Sequence, residues 1–176
     1  MTNVNTPEYW NRVWLLTGEY RGTRPIYFLA DSLVPPEASI LDIGCGTGYG
    51  LQVLDGREGR IVTGVDYSQK ALEACKSPAI QHDIQQPFPF EDATYDLVTC
   101  VMTLHCLDTP ENAVKESARV LKEEGILLVA CPGQHRWKEE YAFLPTLKEL
   151  QALIAPYFKY VLSFNYDVWN VALATK

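Results

Sequence analysis

The amino-acid sequence predicts an α/β domain with a doubly wound, mostly parallel sheet of seven strands. Short apolar runs of strand length alternate with stretches of helical pattern, and this alternation is typical of parallel sheets. Three runs, Ser39–Ile43, Tyr95–Val101 and Gly125–Cys131, are almost continuously apolar, as expected when helices cover both faces of a sheet. Further on, Tyr157–Phe164 and Val168–Thr175 are two β-rich runs joined by a short turn. Such a turn predicts an antiparallel hairpin after the parallel strands.

The other elements follow from the same kinds of pattern. Parallel strands are also predicted at Arg60–Val65 and Ala79–His82, whereas Gln86–Phe90 contains two prolines and is expected to be a loop or a single turn. The clearest helix is Pro110–Glu123, because Thr109 is a suitable N-cap and proline suits the first helical position. Further helices are predicted at Glu8–Leu16, Pro25–Leu33, Thr47–Leu54, Ser68–Lys76 and Leu144–Ala155.

The length of 176 residues predicts a single domain, since little chain is left over for a second one. Within it, residues 1–36 are expected to form N-terminal helices able to act as a lid. Residues 37–132 form the core that carries the ligand-binding motifs, and residues 133–176 add a helix and the hairpin.

Composition and charge argue against several classes of protein. The net charge is −7 without a Lys/Arg cluster, so direct binding of nucleic acid is not expected. No apolar run approaches the roughly 20 residues of a membrane-spanning helix, and the first residues lack the pattern of a secretory signal. The 5 cysteines include no Cys-x-x-Cys pair and the 3 histidines show no ligand spacing, so neither a disulfide framework nor a metal site is expected. A reducing, cytoplasmic compartment is predicted, and the oligomeric state is left open.

The first strand runs into a glycine-rich turn, Asp42-Ile-Gly-Cys-Gly-Thr-Gly48. Its glycines allow a sharp backbone turn and let a ligand lie against the chain without meeting a Cβ atom. The next strand leads to Asp66, 18 residues beyond Gly48, where a carboxylate can accept hydrogen bonds from both hydroxyls of a ribose. Ligands of parallel sheets bind at the carboxyl ends of the strands, where the strand order reverses. The turn and Asp66 therefore predict a site for a ligand that contains adenosine.

The spacing of the glycines distinguishes between two classes of adenosine cofactor. Dinucleotide-binding proteins use Gly-x-Gly-x-x-Gly, which brings a helix N-terminus to a pyrophosphate. Here Tyr49 and Leu51 stand where that pattern would need its third glycine, and the chain has Gly-x-Gly-x-Gly instead. A nicotinamide cofactor is therefore disfavoured.

Other short motifs follow this turn along the chain, and their order and spacing are informative together. In order, the motifs are Ile40–Gly48, Val65–Ser68, Asp83-Ile84, Phe88–Asp92, Tyr95–Val98, Leu104-His105 and Ala118–Gly125. Together they resemble the class I S-adenosylmethionine-dependent methyltransferases, specifically the methyltransferase type 11 group, over slightly more than half the chain. The resemblance implies a Rossmann-like fold with its last strand antiparallel, methyl transfer as the activity and S-adenosyl-L-methionine as the cofactor.

The resemblance also implies roles for individual residues. The methionine part of the cofactor would lie along the turn that contains Gly44, Cys45, Gly46 and Gly48, with Asp42 helping to hold its ammonium group. Asp66 would bind the ribose, and Cys100 and Val101 would lie near the sulfonium. For the adenine, Tyr67 would pack against the ring, Asp83 would accept a hydrogen bond from the amino group, and Ile84 would lie on the ring face.

Catalytic groups are less clearly indicated by the sequence. His105 follows the strand Tyr95–Val101, so it is a candidate general base as well as a candidate structural residue. His82 is interpreted as a residue for orientation or packing, and His135 as part of a solvated loop, with contact to a substrate as the alternative. The segment Val101–His105 lacks both the Pro-Cys pair of C5-pyrimidine enzymes and the Asn/Asp-Pro-Pro-Tyr/Phe motif of amino-group methylation. Both subclasses are therefore disfavoured.

The expected methyl acceptor is a small molecule, modified at oxygen, nitrogen or carbon. Trp137 and Tyr141 are candidates for the acceptor wall, since loops at the carboxyl ends of strands carry specificity. The aromatic N-terminal segment would pack on the sheet or close as a lid, with Gly18 and Gly22 as joints and Arg24 as a cation for the cofactor carboxylate. The alternatives are an RNA or protein methyltransferase that needs a partner subunit, and a non-catalytic cofactor-binding scaffold.

Overall fold

Seven strands form one mixed sheet at the centre of the protein. The computed structural model describes residues 6–17, 23–133 and 144–176. Its strands are β1 (Ser39–Ile43), β2 (Ile61–Asp66), β3 (Ala79–Gln81), β4 (Tyr95–Val101), β5 (Leu121–Pro132), β6 (Tyr160–Tyr166) and β7 (Trp169–Thr175). They lie in the order β3-β2-β1-β4-β5-β7-β6, with β1 to β5 parallel and β7 antiparallel to both of its neighbours. The predicted fold class is confirmed.

Helices connect the strands and cover both faces of the sheet. In the described ranges they are α1 (Pro7–Thr17), α2 (Arg24–Ser32), α3 (Tyr49–Leu54), α4 (Gln69–Ala74), α5 (Pro110–Val120) and α6 (Leu147–Ile154), with a 3₁₀ turn at Leu104–Cys106. Helix α6 begins with a capping box, in which Thr146 and Glu149 satisfy each other's backbone N–H groups. None of these described helices combines the length and the apolar character needed to cross a membrane.

The boundary between α5 and β5 differs from the prediction. The helix predicted at Pro110–Glu123 ends three residues early, at Val120, because Leu121 is extended (φ −74°, ψ 139°). Extended backbone lets Leu121 bury its side chain completely and pair with Tyr95 in the neighbouring strand. The polar run Lys122-Glu-Glu124 therefore lies in a strand, where an irregular register accommodates it.

Two further predictions are wrong in detail. The hairpin turn lies later than expected, since β6 extends to Tyr166 and Asp167, at φ +52°, occupies the turn. Aspartate is one of the few residues that tolerates this left-handed conformation. Thr109 precedes α5 as predicted but does not cap it, because its hydroxyl donates to Oε1 of Gln85 at 3.2 Å.

The hydrophobic core has two parts, one on each face of the sheet. Along β4, Val98 and Cys100 belong to the cluster that packs against α5 and α6, whereas Leu97 and Val101 belong to the cluster that packs against α2 and α3. Burial of successive residues on opposite faces explains why this strand is continuously apolar in sequence.

The strand order reverses between β1 and β4. The chain proceeds from β1 outward to β2 and β3, then returns to place β4 on the other side of β1. Such a reversal opens a crevice at the carboxyl ends of the two central strands. The loops that follow β1, β2, β3 and β4 all meet there, and they carry the predicted site residues.

Candidate active site

The glycine-rich turn after β1 is the floor of this crevice. Gly44 and Gly46 have φ values of +75° and +55°, a left-handed conformation that side chains rarely adopt. A Cβ atom at Gly44 would overlap the side chain of Thr103, and one at Gly46 would lie 2.6 Å from the ring of Trp14. The Gly44 N–H donates to the carbonyl of Val65 at 2.7 Å and so ties the turn to β2.

Asp66 lies beside this turn, at the end of β2. Its carboxylate accepts hydrogen bonds from the Gly46 N–H and from the Ser68 N–H, both at 2.8 Å. Burial raises the pKa of the carboxyl group, and these backbone hydrogen bonds oppose that rise. Asp66 is 9% exposed and lines the crevice, so its oxygens retain lone pairs for a ligand.

Two adjoining hollows flank Gly44, with volumes of about 530 Å³ and 420 Å³ including their open mouths. Both are lined by Trp14, Gly44 and Met102. The larger is also lined by Trp10, Asp66, Tyr67, His82, Asp83, Ile84, Thr103, Cys106 and Leu107. The smaller is also lined by Thr23, Tyr27, Cys45, Gly46, Thr47, Tyr49, Gly50 and Val101.

The larger hollow brings together the residues that sequence motifs assigned to ribose and adenine. Asp83 also stabilises its own loop, because Oδ1 accepts a hydrogen bond from the Gln85 N–H at 3.0 Å. His82, which the sequence suggested only for packing, lies in the same wall. Its Nε2 is buried and has no hydrogen-bond partner among the described residues. Its position beside Asp83 at a strand end was the signal that could have pointed to the site.

Asp42 lies behind the turn and does not line either hollow. Its fully buried carboxylate accepts hydrogen bonds from the Thr99 hydroxyl at 2.6 Å and the Tyr27 hydroxyl at 3.0 Å. The net effect of its surroundings raises its pKa to about 7. Burial makes the largest contribution and the charge of Asp66 adds to it, whereas the two hydrogen bonds lower the pKa. No sequence pattern points to Tyr27 as a site residue, since an aromatic residue on the buried face of a helix is usually a core residue.

His105 is fully buried in the 3₁₀ turn and lines neither hollow. Burial lowers its pKa to about 3, which leaves a weakly basic imidazole. This placement gives the general-base role no support. Cys100 is also buried behind the wall, whereas its neighbour Val101 and Cys45 line the smaller hollow. Gly48, at φ +83°, is the N-cap residue of α3.

Helix α1 lies across the mouth of the crevice. Trp10 and Trp14 line it, and Oδ1 of Asn11 accepts hydrogen bonds from the Ser68 hydroxyl at 2.8 Å and the Lys70 N–H at 3.1 Å. These bonds attach α1 to the start of α4. The proposed joints Gly18 and Gly22, the loop residues His135, Trp137 and Tyr141, and the side chain of Arg24 lie outside the described part of the chain.

One residue between the two hollows has a strained backbone. Met102 follows β4, lines both hollows and has a φ of +59°. For an unbranched side chain this conformation costs about 1–3 kcal/mol, and such strain clusters at functional sites.

The crevice as a whole fits S-adenosylmethionine. Gly44 lines both hollows and Gly46 lines the smaller one, so the turn presents bare backbone to a ligand, and Asp66 lies at the carboxyl end of β2, the strand end at which such sheets bind a ribose. Among the described lining residues there is no lysine or arginine to hold a pyrophosphate. Fold and site thus define a class I S-adenosylmethionine-dependent methyltransferase.

Comparison with protein families agrees with this class. The family model described as "Methyltransferase domain" matches residues 41–129, just over half of the chain. The chain belongs to this methyltransferase family, the type 11 group, and its cofactor is S-adenosyl-L-methionine.

Individual relatives agree with the family. Ubiquinone biosynthesis O-methyltransferase of Escherichia coli O157:H7 is 30% identical over 130 residues, which are 65% of this chain and 54% of that protein. The protein of the same name from Vibrio campbellii is 29% identical, over 65% of this chain and 55% of its own length. The chain therefore spans about half the length of these curated relatives.

Two solved structures have the same fold. A methyltransferase described as a possible histamine N-methyltransferase, from Thermotoga maritima, is 22% identical, with a TM-score of 0.70 over 96% of this chain and 95% of its own. A putative methyltransferase in complex with the Haloferax volcanii Trm112 methyltransferase activator is 16% identical. It has a TM-score of 0.74 over 95% of this chain and 98% of its own.

Proposed function

We propose that this protein methylates an oxygen atom of a small, largely apolar acceptor. The observation that carries the proposal is the composition of the crevice wall, where Trp10, Trp14, Met102 and Leu107 provide apolar surface without any described lysine or arginine. Such a wall favours a neutral ring or chain over an acceptor that bears phosphate. The relatives named as O-methyltransferases support oxygen as the target atom.

We assign the cofactor to the parts of both hollows around Gly44, and the acceptor to the remaining apolar surface of Trp10, Trp14, Met102 and Leu107. Asp66 would accept the ribose hydroxyls, since its carboxylate lies in the wall beside the turn. Asp83 and His82 would supply polar contacts to the adenine, and a ligand hydrogen bond would satisfy the buried Nε2 of His82. Tyr67 and Ile84 would contact the ring, and Cys45, Gly46 and Val101 would line the methionine part.

Asp42 has a different proposed role from the one the family resemblance implied. Its carboxylate is separated from the crevice by Tyr27, whose hydroxyl donates to it while the same side chain lines the smaller hollow. We therefore propose that Asp42 acts through Tyr27, by fixing the direction of the phenol hydroxyl and by adding negative potential near the cofactor ammonium group.

For methyl transfer, the main task of the protein is to orient the acceptor. When bound, the cofactor supplies a methyl group that the sulfonium charge has already activated. Holding an acceptor in line with that methyl group can contribute up to about 7–11 kcal/mol. The acceptor oxygen would also lose its proton, which would pass to solvent because His105 is too deeply buried to receive it. A phenol, which ionises without a strong base, is therefore the acceptor class that this crevice serves best.

A labelled-methyl transfer assay tests the proposal with three matched acceptors: a catechol, the corresponding dimethyl ether and the corresponding aromatic diamine. We expect label on the catechol only. Transfer to the diamine alone would overturn oxygen as the target. Tight cofactor binding with no transfer to any of a broad acceptor panel would favour a non-catalytic scaffold.

Calorimetry with S-adenosylhomocysteine tests the cofactor site separately. Asp66→Asn should weaken binding at least about tenfold, because it removes a charged acceptor from buried ribose hydroxyls. The matched control is Asp55→Asn, an exposed aspartate at the end of α3, which should bind normally. Unchanged affinity in Asp66→Asn would mean that Asp66 holds the turn in place and does not bind the ribose.

A second candidate function is methylation of RNA or protein together with an activator subunit. The observation that favours it is the similarity, over 95% of this chain, to the methyltransferase in the Trm112 complex. The test compares the chain alone with the chain plus a Trm112 protein, using tRNA and protein acceptors. Label on a macromolecule only in the presence of the activator would establish this function in place of the first.

We also propose how the chain is organised and where it acts. It would work as one domain, in which residues 1–36 cover the core formed by residues 37–132, and residues 133–176 complete the sheet. The contact of Asn11 with Ser68 and Lys70 supports a covering role for the first segment. A cytoplasmic location is supported by the cysteines, all of which are free thiols.

A further inference from the structure

The outer strand β6 carries unusually exposed apolar side chains. Tyr160, Leu162 and Tyr166 are 63%, 61% and 41% exposed, and together with Phe164 they lie on one face of the strand because successive residues alternate. The stretch from 160 to 166 contains no charged residue and no proline. Proteins usually protect an edge strand with charges, prolines or bulges, since an unprotected edge can pair with another chain.

The register of the hairpin shows which backbone groups of β6 point outward. The Gly133 N–H donates to the carbonyl of Val168, in register with the pairing of β5 and β7. Hydrogen-bonded pairs alternate along an antiparallel ladder, so every second residue from Val168 onward bonds to β5. The residues between them, such as Trp169 and Val171, bond to β6, where their partners are Tyr166 and Phe164.

The remaining residues of β6 therefore direct their backbone N–H and C=O groups away from β7. These are Val161, Ser163 and Asn165. They form a row of donors and acceptors at the open edge of the sheet, which is the arrangement that another strand can extend.

A charged residue stands at each end of β6. Lys159 precedes β6 and Asp167 follows it, and both are exposed. If a second β6 pairs antiparallel with the first and Ser163 faces its own counterpart, Lys159 of each copy comes close to Asp167 of the other, because these residues adjoin opposite ends of the paired strands. The strand is thus charge-complementary to itself in one register.

We propose that two copies of this chain associate through antiparallel pairing of β6 with β6, centred on Ser163. The pairing joins the outward groups of Val161 and Ser163 to those of Asn165 and Ser163 in the second copy, and it makes the two sheets continuous. Opposite-charge pairs at both ends select this register, since a shift by two residues moves each lysine away from its aspartate.

The same pairing covers the exposed side chains. In this register Leu162 lies opposite Phe164 of the second copy, and Tyr160 lies opposite Tyr166 of the second copy. Aromatic and aliphatic cross-strand pairs of this kind stabilise antiparallel sheets. The other edge strand, β3, has only three residues and serves as the control surface.

Sedimentation velocity of the full chain from about 1 to about 100 µM tests the proposal. Wild type should show a monomer–dimer equilibrium. Ser163→Pro should be monomeric throughout, because it removes an outward N–H and leaves the ladder to β7 intact. Ile80→Ser, at the opposite edge, should dimerise like wild type. A wild-type monomer at every concentration, or a dimer that survives in folded Ser163→Pro, would overturn the proposal.

The flanking charges provide a second test that does not depend on a proline. Lys159→Glu places like charges at both ends and should weaken dimerisation at least about tenfold. Adding Asp167→Asn should recover part of that loss, and asparagine suits the left-handed turn position. Hydrogen exchange gives the residue-level readout, since the Ser163 amide should gain protection with concentration while the Leu162 amide stays protected throughout. Equal dissociation constants in all charge variants would contradict the proposed register.

Discussion

The buried carboxyl group of Asp42 predicts an unusual pH dependence of stability. Burial raises its pKa from the ordinary 3.8 to about 7 in the folded protein. Between these two values the unfolded chain has lost a proton that the folded chain still holds, so ionisation favours unfolding. The contribution of Asp42 to the free energy of unfolding should therefore be greatest below about pH 4. It should decline as the pH rises to about 7 and then stay constant.

The size of this effect follows from the pKa difference. A difference of about three pKa units, at 1.36 kcal/mol each, limits the decline in the free energy of unfolding to about 4 kcal/mol. Domains of this size are commonly stable by only about 5–15 kcal/mol. The expected decline is therefore a large fraction of the total free energy of unfolding, and a denaturation experiment can measure it.

Urea denaturation of wild type and Asp42→Asn, without cofactor, isolates this contribution. Asparagine keeps the shape of the side chain and does not ionise, so the wild-type free energy minus that of the variant should fall by up to about 4 kcal/mol from pH 4 to pH 8. The subtraction removes the effects of other carboxyl groups. Asp55→Asn, an exposed control, should give a flat difference. A flat or rising difference for Asp42→Asn would refute the reasoning.

Three further substitutions and one matched control test the packing around the turn and the α2 helix. Tyr27→Phe removes a hydrogen bond to a buried carboxylate and should lower stability by about 1–3 kcal/mol in urea. Gly46→Ala forces a side chain into a left-handed position against an indole ring, so it should lower both stability, by about 1–3 kcal/mol, and cofactor affinity in calorimetry. Arg60→Met should cost about 3 kcal/mol or more in thermal denaturation, because the fully buried guanidinium donates to three main-chain carbonyls besides its carboxylate partner. Arg57→Met, which removes an exposed cation from the same carboxylate, should cost less than about 1 kcal/mol.

Much of the fold could be predicted because the central strands are buried on both faces. A strand such as Tyr95–Val101 must be apolar at almost every position, and its bounds in the structure equal those in the prediction. The end of α5 could not be predicted in the same way. Lys122-Glu-Glu124 suits an exposed helix end as well as an exposed strand, and only the burial of Leu121 against β4 decides between them.

The residues of the candidate site also divide into those that local sequence could predict and those that depend on tertiary packing. The location of Gly44, Gly46 and Asp66 in the crevice could be predicted, because it depends on local backbone conformation and on position at a strand end. Trp14 and Tyr27 could not, since they reach the turn from helices whose placement is a tertiary property. For Asp42 and Asp83 the residues were found, but the sequence did not show that Asp42 would be enclosed by two hydroxyl groups.

Trp14 has a consequence for how the cofactor site and the N-terminal helix are related. Gly46 has no side chain, and the indole ring of Trp14 occupies the space that a side chain would fill. A ligand that lies against Gly46 must therefore share the space with Trp14 or displace it. Because α1 also bonds to α4 through Asn11, movement of the ring would be resisted at a second point on the same helix. If the cofactor lies against Gly46 as proposed above, its affinity should depend on the position of α1, since that helix packs against the same glycine.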